Sequence, residues 1–186
     1  MTSVVTAQRC AQGYTWDKYL ELIEVNKEHF LRNYGEVQLE DADGEFFLSL
    51  ERRRGTPIKV LALSEDWCPD AYSNLPVMVK ICKTAGWELR IFPRDENLDI
   101  MNQYLNQGKY MSIPVFVFFD DGFRELGSWI ERSRAATEFM GRLREELAVL
   151  NLSRDEARSE MAKRRLQAER DFLRQETIRE LREVLS

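Results

Sequence analysis

The stretch "IKVLALSEDWCPDAY", residues 58–72, passes from an apolar, β-branched run into a tryptophan, a cysteine and a proline. Residues 58–64, interrupted only by Lys59, have the composition of a strand buried on both faces. Pro69 suits the first turn of a helix, where no N–H is needed. From there to Ala85 the pattern is helical, and Gly86 supplies the cap. Cys68 therefore stands where a buried strand gives way to a helix. Unpaired N–H groups and the helix dipole at that position favour an anion and lower a thiol pKa, whereas the carboxylates of Asp66 and Asp70 push it upward.

On the N-terminal side, Trp16, Leu20, Ile23, Phe30 and Tyr34 recur at helical spacing between Thr15 as an N-cap and Gly35 as a stop. A short second helix covers Phe46, Phe47 and Leu50 and ends before Gly55 and Pro57. On the C-terminal side, "WELRIF" (residues 87–92) reads as a strand, and residues 95–107 as a helix closed by Gly108. "VFVFF" (115–119) and "FRELGSWI" (123–130) flank Asp120, Asp121 and Gly122, the signature of an antiparallel hairpin. A helix carrying Phe139, Met140, Leu143 and Leu147 follows. The order β-α-β-α-β-β-α predicts an α/β fold, with helices on the faces of a central sheet.

Beyond Asn151 the character changes. Ser153 and Glu156 form a capping-box signature, and no glycine or proline occurs from Arg142 to Ser186. One long helix is expected there, with nine basic and eight acidic residues from Ser153 onward. Its apolar residues, among them Met161, Leu166, Phe172, Leu173, Ile178, Leu181 and Leu185, make a diffuse stripe rather than a heptad. Two readings stand: one side packs on its own domain, or residues 153–186 form a homo-oligomer or partner contact. The expected divisions are an N-terminal tail and helical region over 1–57, a core over 58–150 and the charged helix over 151–186.

Composition narrows the function classes. The chain has 186 residues, 44% of them apolar, and a net charge of −5, which gives no general attraction to nucleic acid or anionic lipid. No run approaches the ~20 apolar residues of a membrane span. The opening "MTSVVTAQRCAQGYTW" lacks a basic region followed by an apolar stretch, so a cytoplasmic address is expected. Cys10, Cys68 and Cys82 are too few and too scattered for a disulfide scaffold, and with His29 as the single histidine no metal site is expected. His29 itself reads as a helix-surface residue. Cys82 reads as a small hydrophobe inside its helix, and Cys10 as part of a loose tail.

Trp67-Cys68-Pro69-Asp70 at a strand-to-helix junction resembles the WCxxC site of the thioredoxin superfamily. Pro76, eight residues on, resembles the proline inside that family's active-site helix. Ser112-Ile113-Pro114 before a strand is similar to its cis-proline loop, and Gly127 falls where a glycine commonly ends the last strand. The lead-in "SEDWC" after an aromatic N-terminal helix resembles a bacterial thioredoxin-like branch. The resemblance implies a thioredoxin-like fold with a central mixed sheet, Cys68 as the attacking thiol, and a substrate groove formed by Trp67, Pro69, Ile113 and Pro114. No cofactor is implied.

Two positions depart from that pattern. Ala71 replaces the resolving cysteine, so a mixed disulfide on Cys68 would await an outside thiol. Ala62 stands where the family keeps a buried acid. Cys82, fourteen residues along the same helix, lies roughly 20 Å away at helical rise, beyond the ~7 Å limit for a disulfide; Cys10 is left as a distant stand-in. Two functions follow. In one, the chain is a monothiol oxidoreductase acting on protein disulfides, protein thiols or a small thiol. In the other, it is a redox-inactive binding or adaptor module that uses the groove and the C-terminal helix.

Overall fold

The computed structural model describes residues 4–186. Four strands, β1 (Lys59–Ser64), β2 (Glu88–Pro93), β3 (Val115–Phe119) and β4 (Glu125–Ile130), form one mixed sheet in the order β2-β1-β3-β4. β1 runs parallel to β2 and antiparallel to β3, and β3 pairs antiparallel with β4. Central β1 and β3 are buried along nearly their whole length, which is why both read as uninterrupted apolar runs. Side chains alternate across β3. Phe116 stacks on Trp129 of β4, and Phe118 meets Trp87, which in turn meets Phe47; Phe119 packs with Phe123.

The N-terminal helices are α1 (Ala7–Cys10), α2 (Trp16–Leu22), α3 (Lys27–Glu36) and α4 (Asp41–Arg54). Thr15 caps α2 as expected, accepting from the Lys18 N–H. The single helix expected to run to Gly35 is instead broken between α2 and α3. Asn26 takes a left-handed φ of 56°, and the Asp66 carboxylate accepts the Glu24 and Val25 N–H groups. Gly35 lies inside α3, whereas Gly55 ends α4 in the left-handed region.

α5 (Pro69–Ala85) is closed by Gly86 at φ 77° and packs on β1 and β2 beneath α3 and α4. Pro76 inside it cannot donate to the Tyr72 carbonyl. The buried Asn33 of α3 donates its amide to that carbonyl at 2.7 Å, which satisfies it and ties α3 to α5. The helix expected over residues 95–107 shrinks to the single turn α6 (Leu98–Met101). Asn106 draws the following chain elsewhere: its amide donates to Ser112 and Glu131, and Gln107 and Gly108 both take left-handed φ. The second hairpin strand starts at Glu125 rather than 123, because Phe123 at φ 58° still belongs to the turn.

After the hairpin come α7 (Arg134–Ala148), α8 (Arg154–Ala168) with its Ser153–Glu156 capping box, a π-helical turn over Glu169–Leu173, and α9 (Arg174–Leu185). The helix that packs on the sheet is α9, not α7. Ile178, Leu181 and Leu185 join the core, Trp129 donates to Glu180, and the Thr177 hydroxyl donates to Asn74 of α5. α7 instead pairs with α8. Gly127 allows α9 its approach to β4, since a β-carbon there would lie 2.8 Å from Val184 Cγ1. The π turn explains the diffuse stripe. Contacts at Arg165, Glu169, Leu173, Thr177 and Leu181 recur every four residues, a spacing that drifts off one face of a 3.6-residue helix. A wider turn in the middle brings them back to one side.

Candidate functional site

Cys68 is the N-cap of α5 with extended backbone, and its carbonyl accepts the Tyr72 N–H at 3.1 Å. β1 delivers the chain to this point, and Pro69 starts the helix without wasting a donor. The residue is only 7% exposed. Its sulfur donates to the Ile113 carbonyl at 3.5 Å, and although it caps no backbone N–H of α5, the nearby N–H groups of Ala71 and Asp70 favour its anion. These contributions oppose one another. Burial raises the thiol pKa most, the Ala71 N–H lowers it, and the Asp70 charge raises it again; the outcome is a pKa above the ordinary value. Of the two acids flanking the cysteine in sequence, Asp70 therefore acts on the thiol, while Asp66 is committed to the break between α2 and α3.

The Ile113–Pro114 peptide is cis, and its loop lies against Cys68. Ile113 and Pro114 are buried, and the Ile113 N–H has no hydrogen-bond partner among the described residues. On the outer side the Trp67 ring is 48% exposed, with the Arg94 guanidinium 5.0 Å above its centroid. Arg94 also donates to the Met111 carbonyl, and the Met111 and Tyr110 side chains are exposed beyond it. Pro69 is exposed on the same rim. Trp67, Pro69, Cys68, Ile113 and Pro114 thus come together, as does Ala71, which is fully buried under the cysteine. Ala62 is also fully buried and brings no titratable group.

The other cysteines stay apart from the site. Cys82 is buried within α5, which raises its pKa. Cys10 lies in no loose tail: it is buried in α1, its thiol pushed up to about 11, with Glu88, Arg90 and Lys59 as its charged neighbours. Lys59 and Glu88 begin β1 and β2, at the ends of the strands away from Cys68. Crossing the six residues of β1 takes roughly 17 Å at strand rise, so Cys10 cannot resolve an adduct on Cys68. His29 lies over the Tyr72 ring with centroids 4.8 Å apart, on the surface of α3. No group of three or more His, Cys, Asp or Glu among the described residues could hold a metal ion, and no helix among them is long and apolar enough to cross a membrane.

A charged cluster beside Cys68 was not foreseen from the sequence. Asp70, nearly buried, accepts from Arg132 at 2.7 Å and from Arg165 at 2.8 Å. Arg165 also bonds Glu169 of the π turn, and Glu169 accepts the Ser73 hydroxyl at 2.6 Å. The partners lie 62 and 95 residues from Asp70 along the chain, and a charge-rich helix such as α8 does not announce which arginine turns inward. The one available signal was an acid two residues after the cysteine at a helix start.

A family model described as thioredoxin matches residues 13–158. Two solved structures share the architecture. One is a protein of unknown function from Pseudomonas aeruginosa, 19% identical, covering 100% of this chain and 98% of its own, with a TM-score of 0.69. The other is an HIV epitope scaffold, 18% identical, covering 99% and 98%, with a TM-score of 0.67. Both alignments span nearly the whole chain, so the likeness of fold extends through the C-terminal helices. No curated protein matches.

Proposed function

Because the chain belongs to the thioredoxin family but carries alanine at the resolving position, we propose that it is a thioredoxin-fold binding module that holds an extended polypeptide segment in the groove beside Cys68. The observation that carries this reading is the state of the sulfur. Cys68 is buried, gives its hydrogen to the Ile113 carbonyl, and keeps its proton to higher pH than a free cysteine. A thiol that stays neutral is a poor nucleophile. The groove beside it remains equipped for recognition. The Ile113 N–H, without a partner among the described residues, can bond the main chain of an extended guest, with Trp67 and Met111 as exposed apolar walls.

One observation favours a second reading, monothiol exchange: Cys68 stands at the N-terminus of α5, where the Ala71 and Asp70 N–H groups favour its anion. There the Cys68 thiolate would attack one sulfur of a protein or small-molecule disulfide, forming a mixed disulfide and releasing the other sulfur as thiolate. An external thiolate would then attack the mixed disulfide, leaving as a new disulfide and returning Cys68 reduced.

Binding of a fluorescent, reduced and carboxymethylated polypeptide, which is extended and has no disulfide to exchange, separates the two. Cys68→Ser should bind within twofold of the wild type. Trp67→Ala should weaken binding about tenfold, near 1.4 kcal/mol. Capture of disulfide-containing probes alone, abolished in Cys68→Ser, would transfer the assignment to monothiol exchange.

A further inference from the structure

The groove side of Cys68 does not account for the buried ions on its other side. Asp70 sits at the second position of α5, where the helix N-terminus alone would favour a thiolate two residues earlier. Its carboxylate is held from two directions: by Arg132, in the loop between β4 and α7, and by Arg165, on α8. Arg132 also pairs with Glu131, while Arg165 is braced by Glu169 and through it by Ser73 of α5. All three ionic side chains are largely withdrawn from solvent. Arg165 belongs to none of the elements that deliver Cys68. It lies on α8, seven residues beyond the segment matched to the family and just before the π turn that carries Glu169.

We infer that Arg165 is a positioning residue for Cys68: together with Arg132 it holds the Asp70 carboxylate at the first turn of α5 and offsets the charge that this carboxylate presents to the sulfur. This rests on the reading of Cys68 as a neutral thiol in a binding groove: Asp70 adds to burial in keeping the thiol neutral, and Arg165 limits how far it does so. The groups acting on the pair are few. Asp70 and Arg165 are the charges that act on the sulfur, the Tyr19 and Tyr72 phenols lie within its field, and Glu131 faces Asp70 beside the two arginines. Burial pushes the Asp70 carboxyl up, and the two guanidiniums oppose that push. Removing Asp70 therefore takes away the opposing anion and leaves two cations near the thiol. Removing Arg165 leaves the anion in place with half its compensation gone. The two changes must move the thiol in opposite directions.

The test is the pH dependence of iodoacetamide alkylation, read by mass spectrometry on the Cys68 peptide of the full-length protein, so that Cys10 and Cys82 do not contribute. Asp70→Asn should shift the midpoint to lower pH by about 0.5 unit or more, and Arg165→Gln should shift it upward by a similar amount. Arg165→Lys should fall between Arg165→Gln and the wild type. A scaffold role without influence on the thiol would leave all midpoints unchanged. An unchanged or raised midpoint in Asp70→Asn, or an unchanged or lowered one in Arg165→Gln, overturns the inference. Should Arg165→Gln fail to fold, Arg165→Lys decides, with a smaller rise expected and no rise contradicting the proposal. The polypeptide-binding assay involves no thiol ionisation, so failure of the binding reading would show there and failure of this inference only in the alkylation profile.

Discussion

Cys68 has two unlike walls. On one, Tyr110, Met111 and the Trp67 ring leave apolar surface exposed, and the N–H of the buried Ile113 has no hydrogen-bond partner among the described residues. On the other, Asp70, Arg132, Arg165, Glu169 and Ser73 pair with one another, and α9 locks that arrangement against the sheet. The open wall is built to acquire a partner; the closed wall already has its own. The contrast separates recognition from control of charge within a few residues of one sulfur, and it assigns the C-terminal segment to the second task.

Stability measurements should divide along the same line. Leu181 is fully buried between α9 and the core, so Leu181→Ala should cost about 3 kcal/mol in denaturant unfolding. In the same assay Trp67→Ala should change stability by less than about 0.5 kcal/mol, because its ring is half exposed and serves the groove. Equal losses in the two variants would erase the distinction between the walls.

A smaller effect concerns how the closed wall is anchored. Glu36 of α3 accepts from Arg170 in the π turn and from Arg174 of α9, and those guanidiniums hold its carboxyl at about 2, against an ordinary 4.5. The folded-state value is depressed, so the stabilisation is present above pH 4.5 and is lost as pH falls toward 2. Acid unfolding of Glu36→Gln should show a shallower loss over that window than the wild type. An identical slope would remove Glu36 from the anchor.

Much of this arrangement was legible in the sequence, for identifiable reasons. β1, α5 with its Gly86 cap, the hairpin turn and the Ser153–Glu156 box each depend on neighbours in the chain, and each appears close to where local pattern puts it. The approach of Cys68, Trp67, Ile113 and Pro114 followed from the family resemblance. What local pattern could not reveal was tertiary choice. α7 and α9 are both amphipathic, yet α9 covers the sheet, because Gly127 makes room for Val184 and Glu180 and Thr177 find Trp129 and Asn74. Burial of Cys10 and the break before α3 likewise depend on groups distant in sequence, Asp66 among them. The long charged helix was correctly read as one segment, but its inward arginine could be recognised only once Asp70 was seen to need a partner.

The most direct test of the account is the alkylation midpoint of Cys68 in the unmodified protein. Burial and the Asp70 anion together predict a midpoint above the free-cysteine value of about 8.5. A midpoint below about 7 would mean that the helix N-terminus prevails, and Cys68 would then be a reactive thiolate rather than the neutral floor of a binding groove.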